Sequence, residues 1–212
     1  MYLLVRQANL RGGMDAQQWA IDIGAAAASG LGNEVGVWST VLSPGVGTIS
    51  WTTRWENLSA LEKGFAELFG NAKYLELAGE GTQYVNGPID DTLYESVYEG
   101  VDDGVAPNDV RYVGTVTAVI APGNFARGMM GGVEIAQRVE KATGVSTGFM
   151  AGQTGSYGRV LWLGGYESMA EFEKAQHDLA ADTSFVEFID ATTGAYQPDP
   201  VITQSTVYMR LN

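Results

Sequence analysis

The sequence has no cysteine and only one histidine, His177, among its 212 residues. Without cysteine the chain forms no disulfide bond and offers no thiolate nucleophile or thiolate metal ligand. A single histidine excludes a zinc site that draws several imidazoles from one chain. We therefore predict that the protein holds no metal.

Basic residues are also few. The chain has 12 Lys plus Arg against 25 Asp plus Glu, which gives a formal net charge of −13. A surface this acidic repels phosphate backbones and anionic lipid head groups. We expect no nucleic-acid partner and no membrane partner, and we expect the charge to favour solubility.

Long apolar runs are missing as well. The apolar residues that open the chain stop at Arg6, whereas a signal peptide needs a basic start and a longer apolar stretch. A membrane-spanning helix needs about 20 predominantly apolar residues, and the sequence has no such stretch. These patterns predict a cytoplasmic protein.

The first hundred residues alternate between strand-like and helix-like patterns. The predicted strands are Tyr2–Asn9, Val35–Leu42, Thr48–Trp55 and Thr92–Glu99, and the predicted helices are Met14–Leu31 and one that opens at Leu58. Residues 43–47 are predicted to be a hairpin loop. The stretch through Tyr74 and Leu77 is predicted to be a tail that leads to the last strand. The resulting order, β-α-β-β-α-β, is that of a ferredoxin-like unit.

The same order returns 111 residues later. The predicted strands are Tyr112–Ile120, Ser146–Gly152, Arg159–Tyr166 and Ile202–Met209, with a turn at 197–200, and the predicted helices are Phe125–Thr143 and Met169–Ala181, the latter continued by Phe185–Ile189. At the constant offset Trp51 matches Trp162 and Trp38 matches Phe149, with no insertion before the second helix ends. Such self-similarity predicts a tandem repeat. We predict repeats at 1–100 and 111–212, joined by a linker at 101–110 that contains glycine and proline.

Two passages, 51–62 and 160–173, resemble the region of the dimeric α/β-barrel superfamily where the third strand runs into the second helix. The later passage carries Trp162 and a Tyr-Glu-Ser helix start at Tyr166, and it is most similar to NIPSNAP-like members. His177 ahead of Phe185 is similar to the end of that helix in the antibiotic-biosynthesis-monooxygenase-like branch, although the spacing differs. The resemblance extends over both halves of the chain.

The resemblance implies an α+β fold in which two four-stranded sheets face each other and enclose a barrel. Most members of the superfamily form this barrel from two chains. A duplicated chain would form it within itself, because the apolar face of each sheet needs a partner. Members similar to this chain work without a metal or an organic cofactor, so the resemblance implies that this protein needs none.

Six aromatic side chains on the central strands are candidate ligand-binding residues. They are Trp38, Trp51, Trp55, Phe149, Trp162 and Tyr166. If one sheet face lines the barrel interior, some of these rings would bound an apolar pocket for a small molecule. The alternative is that they only fill the hydrophobic core.

Three polar side chains are candidate catalytic residues. Arg6 and Arg54 lie in the middle of predicted strands, and a charge inside a barrel needs a partner or an anionic substrate. Exposure at a sheet edge is the alternative for both. His177 is able to transfer protons near neutral pH, but a surface position is the alternative, because it lies off the apolar stripe of its helix and matches Ala66 in the first half.

These features lead to three hypotheses of function. The first is a small-molecule-binding protein, in particular a cofactor-independent monooxygenase or cyclase that acts on an apolar or aromatic substrate in the barrel interior. The second is a non-catalytic homo-oligomeric assembly or stress-response protein, suggested by the many small residues of the first helix of each half. The third is a haem-binding protein with His177 as the ligand. We favour the first.

Overall fold

The structure is a computed structural model that describes residues 1–43, 47–100, 110–198 and 203–212. Three predicted features fall wholly or partly outside the described residues. They are the centre of the first hairpin loop (44–46), most of the predicted linker (101–109), and the turn that precedes the last strand together with its first residues (199–202).

The first half of the chain has four strands and three helices. Its elements are β1 (Tyr2–Leu10), α1 (Met14–Leu31), β2 (Gly36–Leu42), β3 (Thr48–Trp55), α2 (Leu58–Leu68), α3 (Ala72–Tyr84) and β4 (Val85–Tyr98). The second half has β5 (Tyr112–Val119), α4 (Phe125–Thr143), β6 (Thr147–Gly152), β7 (Arg159–Tyr166), α5 (Met169–Ala181), α6 (Thr183–Thr192), a short 3-10 helix (Thr193–Ala195) and β8 (Gln204–Arg210). The predicted order of strands and helices is confirmed in both halves.

Hydrogen bonding joins the strands in the order β1-β3-β2-β8-β5-β7-β6-β4, which closes into a barrel. The fold is therefore α+β, with two tandem ferredoxin-like repeats in one chain, as predicted. The chain also divides into two compact units, Met1–Tyr94 with Met209–Asn212, and Glu95–Tyr208. We call these the first unit and the second unit, and each is described separately below.

Each half has one more helix than predicted. The segment through Tyr74, predicted as a tail, is the separate helix α3, because the Asn71 side chain accepts a hydrogen bond from the Tyr74 backbone N–H at 3.0 Å and caps a new helix. In the second half Asp182 accepts from the Phe185 backbone N–H at 3.1 Å. Asparagine and aspartate are preferred at helix starts, so both helices had a signal in the sequence.

An indole hydrogen bond ties the third strand of each unit to its first helix. Trp51 Nε1 donates to the carbonyl of Ala20 at 2.9 Å, and Trp162 Nε1 donates to the carbonyl of Gly132 at 2.8 Å. The two tryptophans thus occupy equivalent places, as the offset of 111 predicted. They fix which sheet face the helices cover in each unit.

The constant offset is nevertheless wrong for the second strand. Trp51 is paired with Val37, whereas Trp162 is paired with Phe149. Phe149 is therefore equivalent to Val37, 112 residues away, and Trp38 points to the opposite face because neighbouring strand residues alternate. The predicted match of Trp38 with Phe149 fails for this reason.

The first strand is displaced in the other direction. Arg6 is paired with Trp51, whereas Val116 is paired with Trp162. Arg6 and Val116 are thus equivalent at a separation of 110 residues. The connection from the first strand to the first helix absorbs the difference, because turns tolerate changes in length that a strand or helix does not.

Adjacent glycines of α4 provide a test of packing in the second unit. A methyl group at Gly132 would overlap the ring of Phe149, while at Gly131 the nearest atoms would lie at 3.8 Å. We expect Gly132→Ala to lower the free energy of unfolding by about 1–3 kcal/mol through overpacking. Gly131→Ala is the control and should be neutral or stabilising, since alanine favours helix. Urea unfolding followed by circular dichroism measures both, and equal effects of the two changes would contradict the packing described here.

Candidate ligand-binding cavity

A cavity of about 480 Å³ lies within the first unit. It is bounded by β1 and β3 of the sheet, by all three helices of the unit and by the start of β4. Most of its wall is apolar, including Leu4, Ile23, Leu31, Phe65 and Leu68. Its volume falls in the range of about 300–1,000 Å³ that is usual for small-molecule sites.

Two tryptophans form an aromatic wall of the cavity. Trp19 on α1 and Trp51 on β3 meet edge to face, with ring centroids 6.0 Å apart, and Trp19 also stacks on Tyr84 at 5.4 Å. The Trp19 indole N–H donates to the carbonyl of Leu77 at 2.9 Å. Because both indole N–H groups are already bonded to backbone carbonyls, the two rings are held in place and offer apolar surface.

A charged group borders this apolar space. Arg6 on β1 donates from Nε to Asp91 Oδ1 at 2.8 Å and from Nη2 to Asp91 Oδ2 at 2.7 Å. Its Nη1 donates to the hydroxyl of Tyr74 at 3.2 Å. The hydrogen bonds with Asp91 raise the pKa of Arg6, although burial acts in the opposite direction. Arg6 is therefore permanently charged and paired.

The hydroxyl of Tyr74 has an unused donor. Tyr74 is buried, lines the cavity and accepts the hydrogen bond from Arg6. A phenolic hydroxyl both accepts and donates, and no hydrogen bond given by Tyr74 Oη occurs among the described residues. The guanidinium fixes the phenol oxygen, so its proton is available for an acceptor atom of a ligand.

Thr53 is an unusual residue of the cavity wall. It is 6 % exposed, and its Oγ1 is buried without a hydrogen-bond partner within the described part of the chain. A buried polar group without a partner costs about 1–3 kcal/mol, so such groups are rare and need a reason. The Trp55 Nε1 is also buried and unpaired, but that ring packs against Gly64 of α2 and does not line the cavity.

Of the predicted residues of the first unit, the structure brings only Arg6 and Trp51 to the cavity. Trp38 lies on the opposite sheet face, where its Nε1 donates to Thr52 Oγ1 at 2.9 Å and Arg210 lies over its ring. Arg54 is exposed on β3. For Trp38, Trp55 and Arg54 a functional role stays a prediction.

The predicted residues of the second unit lie in its core or on its surface. Phe149 and Trp162 pack together with centroids 5.1 Å apart, and Tyr166 packs against Phe172 at 5.2 Å. His177 is exposed on α5. Ligand binding by these rings, and proton transfer or haem ligation by His177, stay predictions.

The polar group of the cavity has no counterpart in the second unit. By strand register Arg6 corresponds to Val116 and Thr53 to Gly164, and by the positions of α3 and α6 Tyr74 corresponds to Phe185. The equivalent of Val37 is Phe149, which is fully buried. The two units thus share a fold but differ in the residues that could bind a ligand.

The sequence analysis missed several residues of the cavity. Trp19 was attributed only to a helix, Tyr74 lies in the helix predicted as a tail, and Asp91 has an ordinary place among many acidic residues. The cap at Asn71 would have placed Tyr74 on a helix. No signal in the sequence pairs Asp91 with Arg6, because the two are 85 positions apart.

Two searches of the described residues return nothing. No helix among them is long and apolar enough to cross a membrane. No group of three or more His, Asp or Glu side chains is placed to hold a metal ion in that part of the chain.

The closed strand order and the helix positions define a dimeric α/β-barrel fold, and solved structures agree. A candidate monooxygenase from Fusobacterium nucleatum superposes with a TM-score of 0.70 at 11% identity, over 100% of this chain and 92% of that one. An anthrone oxidase-like protein gives 0.71 at 13%, over 100% and 91%. A candidate monooxygenase from Lactobacillus acidophilus gives 0.63 at 7%, over 99% and 93%.

At these identities the likeness establishes the fold. The chain is therefore a dimeric α/β-barrel protein, as the resemblance in its sequence implied. No protein-family model and no curated protein matches the sequence.

The unpaired hydroxyl of Thr53 leads to a stability prediction. Thr53→Val should raise the free energy of unfolding of the ligand-free protein by roughly 1 kcal/mol, because it removes a buried polar group that has no partner. Thr40→Val is the matched control, since Thr40 is equally buried at 6 % but its Oγ1 donates to the carbonyl of Thr48 at 3.3 Å. The control should destabilise. Denaturant unfolding measures both, and a loss of stability in Thr53→Val would show that its hydroxyl has a partner.

Proposed function

We propose that the protein binds a small, mainly aromatic molecule in the cavity of the first unit and oxidises it as a cofactor-independent monooxygenase. The observation that carries this proposal is the cavity itself, an apolar space of about 480 Å³ bordered by Arg6 and Tyr74. An apolar pocket with a few convergent polar groups is the usual form of a small-molecule site. The hypothesis from sequence placed the substrate in the barrel interior, whereas the site proposed here lies between a sheet and its helices.

The aromatic wall supports an aromatic ligand. Trp19 and Trp51 are held at right angles, at 86°, so a flat ring lying along one indole meets the edge of the other. Both arrangements are favourable for aromatic pairs. Gly81 contributes to this shape, because a methyl group there would come within 3.0 Å of the Trp19 ring.

The polar border supports chemistry at an oxygen substituent of that ring. The Tyr74 hydroxyl, oriented by Arg6, would donate a hydrogen bond to a ketone or phenol oxygen of the ligand. The same bond strengthens when that oxygen becomes negative, so it would favour loss of a proton from an adjacent carbon or from the phenol itself. A carbanion or phenolate of this kind reacts with dioxygen more readily than the neutral molecule does.

The names of similar structures suggest the overall reaction. Two of them are called monooxygenases and one is called anthrone oxidase-like. For a substrate like anthrone, dioxygen would convert a ring CH₂ to a C=O. One oxygen atom enters the product, and the other leaves as water with the two hydrogens of the CH₂. Dioxygen is the only oxidant that this balance requires.

Blocking the cavity tests ligand binding. Wild-type protein should bind 2-acetonaphthone, a neutral aromatic ketone, in isothermal titration calorimetry. Ala27 on α1 lines the cavity, so Ala27→Phe should weaken binding by about tenfold or more by filling the space. Ala25→Phe adds the same ring at an exposed position of the same helix and should bind like wild type. No binding by wild type, or equal binding by both variants, would contradict the proposed site.

Removing the Tyr74 hydroxyl tests the chemistry. With anthrone as substrate, Tyr74→Phe should lower the rate of protein-dependent oxygen uptake by roughly 10- to 100-fold, in keeping with the loss of one hydrogen bond to a developing oxyanion. Tyr84→Phe is the control, since the Tyr84 ring stacks on Trp19 but its hydroxyl has no part in the proposal. An oxygen electrode gives both rates, with spontaneous oxidation of anthrone subtracted. Oxygen uptake that is unchanged in Tyr74→Phe would remove Tyr74 from the mechanism.

A further inference from the structure

The positive charge beside the cavity is already neutralised by the protein. Asp91 takes two of the five N–H groups of Arg6 in a bidentate pair, at 2.8 and 2.7 Å, and Tyr74 takes a third. A bidentate pair of this geometry is among the strongest ionic contacts in proteins. The guanidinium therefore has no net charge left to offer to a ligand.

A ligand carboxylate would meet a cost at this place. It would have to displace Asp91 from Arg6 or sit beside two negative groups at once, and burial of an unpaired charge is unfavourable. The excess of acidic residues, which gives the chain its net charge of −13, adds repulsion. The other polar groups of the inner wall, Tyr74 and Thr53, are neutral hydroxyls.

One other cation borders the cavity, and it lies at the surface. Arg11 is exposed, and its Nε donates to the carbonyl of Val85 at 3.0 Å. Water and salt screen a charge in such a position. Arg11 therefore adds little to selection in the buried part of the site.

From this arrangement we infer that the site selects uncharged aromatic ligands with an acceptor oxygen and rejects the corresponding carboxylates, and that Asp91 is the residue that sets this specificity. The inference rests on the proposed function, because it concerns the same cavity. Asp91 itself does not line the cavity, so it acts through Arg6. It is a specificity-determining residue and takes no part in the reaction.

A matched pair of probes separates charge from shape. 2-Acetonaphthone and 2-naphthoate share one ring system and one attachment point, and they differ in a methyl ketone against a carboxylate. Wild-type protein should bind the ketone at least about tenfold more tightly than the carboxylate in calorimetry at constant salt. Equal affinities, or a preference for the carboxylate, would overturn the inference without any need for a variant.

Asp91→Asn should then change the preference. The substitution keeps the size of the side chain and removes its charge, so Arg6 regains a net positive charge. We expect 2-naphthoate to bind about tenfold more tightly than to wild type, and 2-acetonaphthone to change by less than about threefold. Asp90→Asn makes the same change in net charge at an exposed neighbour and should leave both affinities as they are.

The outcomes distinguish this inference from the proposed function. If the ketone binds to wild type but the ratio of the two affinities stays the same in Asp91→Asn, the specificity role of Asp91 is overturned while the cavity site stands. If the ketone does not bind to wild type at all, both are overturned. Loss of carboxylate binding in Arg11→Gln but no response to Asp91→Asn would also overturn the inference, because it would place the charge selection at the rim.

Discussion

The hydrogen bond from an indole on the third strand to a carbonyl of the first helix organises each unit. In the first unit it joins Trp51 to Ala20, and in the second it joins Trp162 to Gly132. Because side chains alternate along a strand, placing Trp51 toward the helix also places Thr53 and Trp55 there, and strand pairing places Arg6 beside Trp51. The cavity is the consequence, since large rings hold the helix and sheet in position while smaller residues leave space.

The two units show how one framework supports two kinds of interior. In the second unit Phe149 and Tyr196 pack on either side of Trp162, and burial raises the pKa of Tyr196 to about 12. In the first unit Val37 takes the place of Phe149, and a charged residue takes the place of Val116. A repeat in a single chain is free to diverge in this way, because one unit can preserve the fold while the other acquires a site. The boundaries predicted for the repeats, and any assembly of several chains, stay predictions.

The polar border of the cavity combines a permanent charge with two neutral hydroxyls. Arg6 orients Tyr74, and Asp91 balances Arg6. Such an arrangement strengthens a hydrogen-bond donor without presenting net charge to the ligand. It suits a neutral molecule that becomes negative only during reaction, since stabilisation is then greater in the transition state than in the bound substrate.

The sequence by itself determined the types and order of the strands and helices, the repeated pattern, and the importance of Trp51 and Arg6. These follow from local periodicity and composition, which every short segment carries within itself. Only the tertiary structure decided which sheet face each residue occupies, that Trp38 and Phe149 are not equivalent, and that Asp91 pairs with Arg6. The physical reason is that strand register and ion pairs join segments far apart in the chain, where a shift of one residue reverses the face. Local patterns are the same before and after such a shift, so they do not reveal it.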